Sequence, residues 1–275
     1  MSWKGIDLFS HNTNFPFMRW KEWAIGFSIL SGILTLFLMY KPGLNYSIDF
    51  KGGTLIEIQS KNGPANLAEI RDKVNRAGVG DVLVQGFASD TDVLLRVATQ
   101  AGGDKAQATA VDKIKAVLGD GYNYRRTESV GPTVSGELRL VGLYAVLASL
   151  AGIAIYVWFR FEWQFALGGI VSLLHDVLLT VGVFCILQYD FDINTLGALL
   201  TILGYSINDT VVVYDRIREN LRKYKRMDLN ELLNLSINET LSRTILTGCT
   251  AVVVLLALYI FGGEVIRNFN FAMLL

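Results

Sequence analysis

The sequence has few side chains that could form disulfides or bind metals. Its only cysteines are Cys185 and Cys249, and its only histidines are His11 and His175. No CxxC pair or cysteine–histidine cluster occurs, so we expect no metal site, no cofactor and no catalytic centre. The cysteines fall near opposite membrane surfaces in two predicted spans, whereas a disulfide requires Cα atoms within about 7 Å. Two free thiols are therefore expected.

Charge is also scarce, and the two signs are balanced. Charged residues make up 18% of the chain, against about 25% in a typical globular domain. The 25 basic and 25 acidic residues cancel, which argues against nucleic acid as the main partner. Hydrophobic residues make up 52%, and the mean hydropathy is +0.38. This composition favours a membrane protein with membrane lipid as a partner.

Long apolar runs account for this composition. A spanning helix needs about 20 mainly apolar residues, and five runs qualify. They lie at about residues 23–40, 138–159, 163–187, 193–214 and 238–261. A sixth run starts near Phe269 and stops at Leu275, too short to span, so we expect the sequence to be cut inside a sixth helix. The predicted fold is an α-helical membrane protein with a six-span bundle, residues 138–275 holding spans two to five and the start of span six.

The basic residues indicate the orientation, because Lys and Arg concentrate in cytoplasmic loops. The loop after span four has six of them: Arg216, Arg218, Arg222, Lys223, Lys225 and Arg226. The loop between spans three and four has Asp190 and Asp192 and no basic residue. The N-terminal segment, residues 1–22, carries Lys4, Arg19 and Lys21. We predict cytoplasmic termini and a periplasmic segment at residues 41–137.

The periplasmic segment shows the periodicities of a small α+β domain. Residues 67–77 and 111–118 place apolar side chains at helical spacing, whereas Val93, Leu95 and Val97 alternate as in a strand. The order strand, helix, strand, strand, helix, strand predicts a ferredoxin-like domain between spans one and two.

Three groups of polar residues interrupt the apolar runs, where charges are functional candidates. Span four contains Asn208 and Asp209. Span five contains Arg243 within a polar stripe that includes Thr247, at about the same depth as Asp209. Each also has a structural reading: an aspartate satisfied by a neighbouring helix, and an arginine that extends to the interface.

The third group is His175 and Asp176, near the middle of span three. An acid at this depth relays protons in some transporters. It serves equally well as a hydrogen-bonding group that holds the helices together, and the sequence leaves both readings open.

Six short strings together resemble the SecD/SecF family of bacterial protein-export membrane proteins, on its SecF side. The match covers essentially the whole chain, and the strings have the expected order and membrane side. They are Ile48–Thr54 (IDFKGGT), Val130–Leu138 (VGPTVSGEL), Phe159–Trp163 (FRFEW), Gly204–Thr210 (GYSINDT), Asp215–Asn220 (DRIREN) and Thr240–Thr244 (TLSRT). Lys51 departs from the family pattern, which often has threonine there.

The resemblance implies a function. Members of this family have six spans and kinship with proton-driven efflux pumps of the RND superfamily. They use the proton motive force to assist late protein translocation across the inner membrane, with SecD, the translocon subunits SecY, SecE and SecG, the translocating preprotein, and YidC and YajC as further partners. The family ties the span-four aspartate and the span-five arginine to proton conduction, which corresponds to Asp209 and Arg243 here.

Asp49, Gly52 and Gly53 leave the first span, and Gly131 and Pro132 lead into the second. Glycine and proline in these places form turns, and the alternative is that the strings couple the outer domain to the spans.

Two other functions remain as alternatives: a fragment of an RND-type efflux transporter, and a translocon scaffold that conducts no protons. The outer segment is short for a drug path. An intramembrane enzyme would need a nucleophile or metal motif, and none occurs in the sequence.

Overall fold

The computed structural model describes residues 14–87 and 89–275; Lys4 and His11 lie outside this range. The chain divides into two compact units. The α+β unit is Tyr46–Tyr144, and the helical unit combines the described residues before Tyr46 with Ala145–Leu275.

Five helices are long and apolar enough to cross a membrane, which confirms the five predicted spans by length and composition. They are α1 (Lys21–Tyr40, preceded by a 3₁₀ turn at Phe17–Trp20), α5 (Pro132–Arg160), α6 (Trp163–Leu187), α7 (Ile193–Lys223) and α8 (Leu229–Phe261). A short helix, α9 (Arg267–Leu274), packs against α7 and α8.

Three of these helices extend beyond the apolar runs that predicted them. The helix of span two begins at Pro132 instead of near residue 138, α7 continues to Lys223, and α8 begins at Leu229. Asp228 is the N-cap of α8, where its carboxylate accepts a hydrogen bond from the backbone N–H of Asn230 at 2.9 Å. An apolar run measures only the lipid-exposed length, whereas backbone hydrogen bonds and caps set where a helix ends.

The α+β unit contains a four-stranded antiparallel sheet with two helices. Its elements are β2 (Gly53–Ser60), α3 (Leu67–Arg76), β3 (Val82–Phe87), β4 (Ser89–Val97), α4 (Gly103–Leu118) and β5 (Tyr122–Val130), after β1 (Asn45–Tyr46) and α2 (Ile48–Lys51). The sheet order is β3-β4-β2-β5. The core is formed by fully buried side chains from strands and helices, including Ile56, Ile70, Leu95 and Ile114. A two-residue strand, β6 (Asp190–Phe191), precedes α7.

Three asparagines on α8 bind the segment that precedes α1. Asn238 accepts a hydrogen bond from the Phe15 N–H at 2.8 Å and donates to the Phe15 carbonyl at 3.0 Å. Asn234 accepts from the Met18 N–H at 3.0 Å, and Asn230 accepts from the Lys21 ammonium at 3.1 Å. Because residues four apart lie on one helix face, this asparagine ladder (Asn230, Asn234 and Asn238) holds residues 15–21 along α8.

Candidate proton-transfer site

Asp209 and Arg243 lie at the same level of the neighbouring helices α7 and α8. These helices are antiparallel, since Tyr205 donates to the Thr247 carbonyl at 2.9 Å, while Asn220, near the end of α7, bonds Ser236 near the start of α8 at 3.0 Å. Asp209 is four residues after Tyr205, and Arg243 is four residues before Thr247. Because the helices are antiparallel and both residues lie four positions from this contact, Asp209 and Arg243 are at the same height, about one helical turn from it.

The two side chains are nonetheless not paired. Within residues 14–87 and 89–275, neither the Asp209 carboxylate nor the Arg243 guanidinium forms an ion pair within 4 Å or a hydrogen bond. Asp209 is half-buried and Arg243 is exposed. Asn208, the other polar residue predicted here, is exposed and also has no hydrogen-bond partner among the described residues. The site thus places a carboxylate and a guanidinium at the same height on neighbouring helices without an ion pair between them.

The polar stripe on α8 divides into two parts. Ser236 and Thr240 are buried, and Ser236 accepts a hydrogen bond from Asn220 of α7. Thr247 is half-buried and Thr250 is exposed. All four hydroxyls donate to carbonyls of their own helix, three or four residues back. Such local hydrogen bonds satisfy a hydroxyl without a partner helix. Among the described residues, Ser236 is therefore the one member of the stripe whose side chain forms a hydrogen bond with α7.

A second polar cluster joins three helices around Asp176. Ser206 of α7 donates to the Asp176 carboxylate at 2.6 Å, and the His175 Nδ1 lies 3.4 Å from its other oxygen. The His175 Nε2 lies 3.5 Å from the Ser31 hydroxyl of α1. The sequence predicted His175 and Asp176, but it did not indicate that Ser31 and Ser206 contact them, because hydroxyls are common in spanning helices.

A cavity of about 300 Å³ lies beside this cluster, lined by Asp176, Tyr205 and Ser206 together with apolar residues of α6, α7 and α9. Its volume has room for several waters beside the polar groups of Asp176, Thr180, Tyr205 and Ser206, while the rest of its wall is apolar. Asp209 follows Ser206 by three residues, so both lie on one side of α7. The polar positions of α6 and α7 therefore form a series from Asp176 towards Asp209.

Beyond this level, the ends of α7 and α8 carry an ordered charge network that was predicted only as a basic loop. Arg216 donates to Glu239 at 2.7 Å and to Glu219 at 2.6 Å. The buried Asn220 amide donates to the same Glu239 at 2.7 Å. The sequence offers one signal for this network, the interleaving of acidic with basic residues after position 214.

Asn270 is a polar residue that sequence reasoning missed. It lies on α9, it is 1% exposed, and neither atom of its amide has a hydrogen-bond partner among the described residues. A buried amide without partners is costly. Because Asn270 lies in an apolar run of only seven residues, the sequence gave little indication that it would be buried.

In the α+β unit, the predicted Gly52–Gly53 pair occupies backbone that other residues rarely adopt. The φ angles are +75° and +119°. A Cβ on Gly53 would lie 2.4 Å from the Val97 carbonyl oxygen, and one on Gly52 would lie 2.7 Å from the Thr99 hydroxyl. The pair lets β2 start directly against β4, which supports the structural reading of these glycines.

Asp49, Gly131 and Pro132 have local structural roles. Asp49 lies in the first turn of α2, where its N–H and carboxylate both bond the Ser47 hydroxyl at 3.2 Å. Pro132 is the first residue of α5, a position where the missing N–H costs nothing. The Gly131 carbonyl accepts from the Ser135 N–H at 3.0 Å, so this string starts the helix.

Two family models match the chain. Residues 110–275 match the model described as protein export membrane protein SecD/SecF, C-terminal, and residues 37–63 match the SecD/SecF GG motif. The chain belongs to the SecD/SecF family. It is therefore a multi-pass inner-membrane protein of a protein-translocase family, not a member of a class of catalytic enzymes.

Curated relatives are similar over nearly the whole chain. The protein translocase subunit SecF of Rhodobacter capsulatus is 45% identical over 98% of this chain and 85% of the relative. The protein translocase subunit SecDF of Brucella abortus is 43% identical over 95% of this chain and 34% of the relative. The crystal structure of the translocon-associated membrane protein SecDF from Thermus thermophilus has a TM-score of 0.85 and 33% identity over 97% of this chain and 36% of that one. The chain thus spans about a third of the fused relatives.

Proposed function

We propose that this chain works as the SecF-type subunit of a protein translocase and uses the proton gradient to assist late translocation. Its partner is a SecD-like protein, because the fused Brucella relative contains about twice as much sequence again as the part this chain covers. The Sec translocon, with SecY, SecE and SecG, the preprotein, and YidC and YajC complete the proposed assembly.

The observation that carries this proposal is the level placement of Asp209 and Arg243. A carboxyl group away from water takes up a proton unless a cation lies beside it. Approach of the guanidinium would favour proton release, and its withdrawal would favour uptake. Each proton carries about 2.3 kcal/mol per 100 mV of membrane potential, which biases a two-state movement about fifty-fold.

His175 and Asp176 are the proposed relay to this pair. The hydrogen bond between Ser206 and Asp176 and the cavity beside it support this role, because a proton needs acceptor groups or waters along its path. Asn208 and Thr247 border the same path. The Tyr205 hydroxyl, bonded to the Thr247 carbonyl, fixes α7 against α8 at this point.

The α+β unit is proposed to be a ferredoxin-like periplasmic domain between spans one and two of six. Its sheet order, β3-β4-β2-β5, is the one expected for that fold. The strings around Asp49, Gly52 and Gly53, and around Gly131 and Pro132, are the proposed couplings between this domain and the spans. The first string runs into β2, and the second directly follows β5.

The test is the Asp209→Asn variant, produced as the full-length natural subunit with its partner in inverted membrane vesicles. Asparagine keeps the size and hydrogen-bonding capacity but removes the proton. We expect export to fall to the rate measured without a gradient, at normal protein abundance and normal partner binding. Gradient-stimulated export at the normal rate would refute the proton-carrier role and leave the scaffold function.

Two further variants sharpen this test. Asp228→Asn makes the same chemical change at the N-cap of α8, where asparagine caps equally well, and it should leave export unchanged. Arg243→Lys keeps a positive charge but loses the planar guanidinium and its constant ionisation. Loss of stimulation in Arg243→Lys would assign a geometric role to the guanidinium, whereas full activity would require only a charge.

A further inference from the structure

The ends of α5, α7 and α8 enclose an open cavity of about 1040 Å³, which shares only Arg243 with the proposed proton path. Nine charged residues line it, six basic and three acidic. They are Arg160, Arg216, Arg218, Arg222, Lys223 and Arg243, with Asp215, Glu219 and Glu239. The cavity lies on the side predicted to be cytoplasmic.

Two arginines already form ion pairs with all three acids. Arg160 binds both oxygens of Asp215, at 2.8 and 3.0 Å. Arg216 binds Glu219 at 2.6 Å and Glu239 at 2.7 Å. The remaining acceptors in the cavity are therefore few, and the wall carries an excess of positive charge.

The other four cations have no carboxylate within 4 Å in the part of the chain that the structure describes. Arg218 donates to the Arg160 carbonyl at 3.2 Å, and the Lys223 ammonium lies 4.9 Å from the Tyr224 ring. Arg222 and Arg243 have neither kind of contact. Grouped cations without counter-charges attract an anion, and Arg presents its donors in a fork that fits phosphate oxygens.

The surfaces that continue from the cavity are apolar. Beside Arg160, at the end of α5, Trp158 is 63% exposed and Phe159 is 88% exposed. Along α8 from Arg243, the exposed apolar residues include Leu246 and Val253. Aromatic residues at such positions mark the headgroup level of a membrane. A ligand with a phosphate group and long apolar chains fits both surfaces at once.

We propose that this cavity binds the headgroup of an anionic phospholipid, with the phosphodiester held by Arg218 and Arg222 and the acyl chains along α5 and α8. The apolar flanks favour a lipid over free phosphate, which would gain nothing from them. The site stands independently of proton transfer by Asp209.

The test measures lipid retention by native mass spectrometry on the purified full chain in detergent, with its partner if one co-purifies. Phosphatidylglycerol and phosphatidylcholine with identical acyl chains are the probes, and inorganic phosphate is added as a competitor. We expect phosphatidylglycerol to be retained about tenfold over phosphatidylcholine, because each basic residue near a headgroup adds measurable affinity. The Arg218→Gln/Arg222→Gln variant should lose most of this preference.

The matched control is Lys225→Gln/Arg226→Gln, which removes the same charge from exposed residues of the adjacent loop that do not line the cavity. It should change retention less than about twofold. Equal loss in both double variants would mean diffuse surface charge and overturn the site. Equal retention of both lipids by the unmodified chain would also overturn it.

Two further measurements distinguish misfolding from loss of binding, and a phospholipid from free phosphate as the ligand. Arg222→Gln alone alters one exposed side chain and should fold even if the double variant does not, with a loss of about threefold. Full displacement of phosphatidylglycerol by millimolar inorganic phosphate would make free phosphate the ligand and refute the lipid assignment. Retention in its presence supports the lipid.

Discussion

Gly53 shows how one hydrogen atom in place of a side chain determines the start of a sheet. Its φ is +119°, and an added Cβ would lie 2.4 Å from the Val97 carbonyl oxygen. We expect Gly53→Ala to destabilise the α+β unit by about 3 kcal/mol or more, because β2 must shift away from β4. Hydrogen exchange of the β2 and β4 peptides in the intact protein measures this as lost protection.

Gly63 is the matched control for that substitution. Its φ is also positive, at +99°, but nothing lies within 4 Å of an added Cβ. Gly63→Ala should cost about 1 kcal/mol from backbone conformation alone. Equal losses in the two variants would show that contact with Val97 is unimportant.

Comparing variants of Asp176 and of its hydrogen-bond partner Ser206 tests whether Asp176 relays protons or only stabilises the helix bundle. Asp176→Asn removes the titratable group, whereas Ser206→Ala removes only the 2.6 Å hydrogen bond that the acid accepts. We expect Asp176→Asn to reduce gradient-stimulated export, and Ser206→Ala mainly to lower the unfolding temperature, at about 1.5–3 kcal/mol for a hydrogen bond to a charge.

The two readouts are export by membrane vesicles and thermal unfolding of the purified protein. If both variants lowered stability equally and left gradient stimulation intact, the structural role of Asp176 would stand instead.

Residues with a charge in an apolar run were predictable from the sequence, and those without one were not. Asp209, Arg243 and Asp176 stand out because a charge within a membrane-spanning run is costly. Asn270 and Ser206 do not, since their importance depends on which neighbours a helix presents to them. Their partners lie far along the chain, and periodicity cannot indicate which helix faces which.

Among the elements, the N-terminal part of α8 has a structural role that its hydropathy does not indicate. The asparagine ladder binds backbone groups and the Lys21 side chain in residues 15–21. Asn234→Ala removes the central hydrogen bond, to Met18 N–H, at a cost of about 1 kcal/mol. We expect faster hydrogen exchange in residues 15–21 and unchanged exchange in the body of α8.

Glu231 is the control for this prediction. It lies on the same turns of α8, is exposed, and has no hydrogen-bond partner among the described residues. Glu231→Ala should leave exchange in residues 15–21 unchanged. Faster exchange there in both variants would indicate general loosening of α8 rather than loss of the ladder.

The apolar runs predicted which elements exist but placed their ends less well. Residues 163–187 correspond to α6 as observed, because both of its ends coincide with the ends of the run. The helix of span two starts earlier, at Pro132, since proline at a first helical position and the following residues continue the helix through polar sequence. In the α+β unit, the alternating Val93, Leu95 and Val97 lie buried on β4, because period two fixes one face of a strand.

At the scale of the whole molecule, the helices leave large apolar surfaces uncovered. Thr35 is the only buried residue of α1 in the described structure, and no residue in the most apolar stretch of α8 is buried. The Thr35 hydroxyl packs so closely on α6 that a Cβ on Gly182 would lie 2.3 Å from it. The helices therefore contact one another over narrow strips of their surfaces, where small residues allow close approach.

The distribution of charge over the molecule predicts its orientation. The basic residues in the last turns of α7 and just after it, together with Arg19 just before α1 and Lys21 at its start, fall at one set of helix ends. Asp190 and Asp192 fall at the other. We predict that the α7–α8 loop faces the cytoplasm and that the α+β unit faces the periplasm. Cysteines introduced as Asn62→Cys and Lys225→Cys, at exposed positions of these two regions, test this in intact cells.

The measurement uses a membrane-impermeant maleimide on a background in which Cys185 and Cys249 are replaced. Reagent added outside should label Asn62→Cys and leave Lys225→Cys unlabelled, because only the periplasmic side is accessible. After permeabilisation both positions should react, which shows that neither thiol is shielded by the fold. Labelling of Lys225→Cys but not of Asn62→Cys in intact cells would invert the topology. It would also move the charged cavity to the periplasmic side.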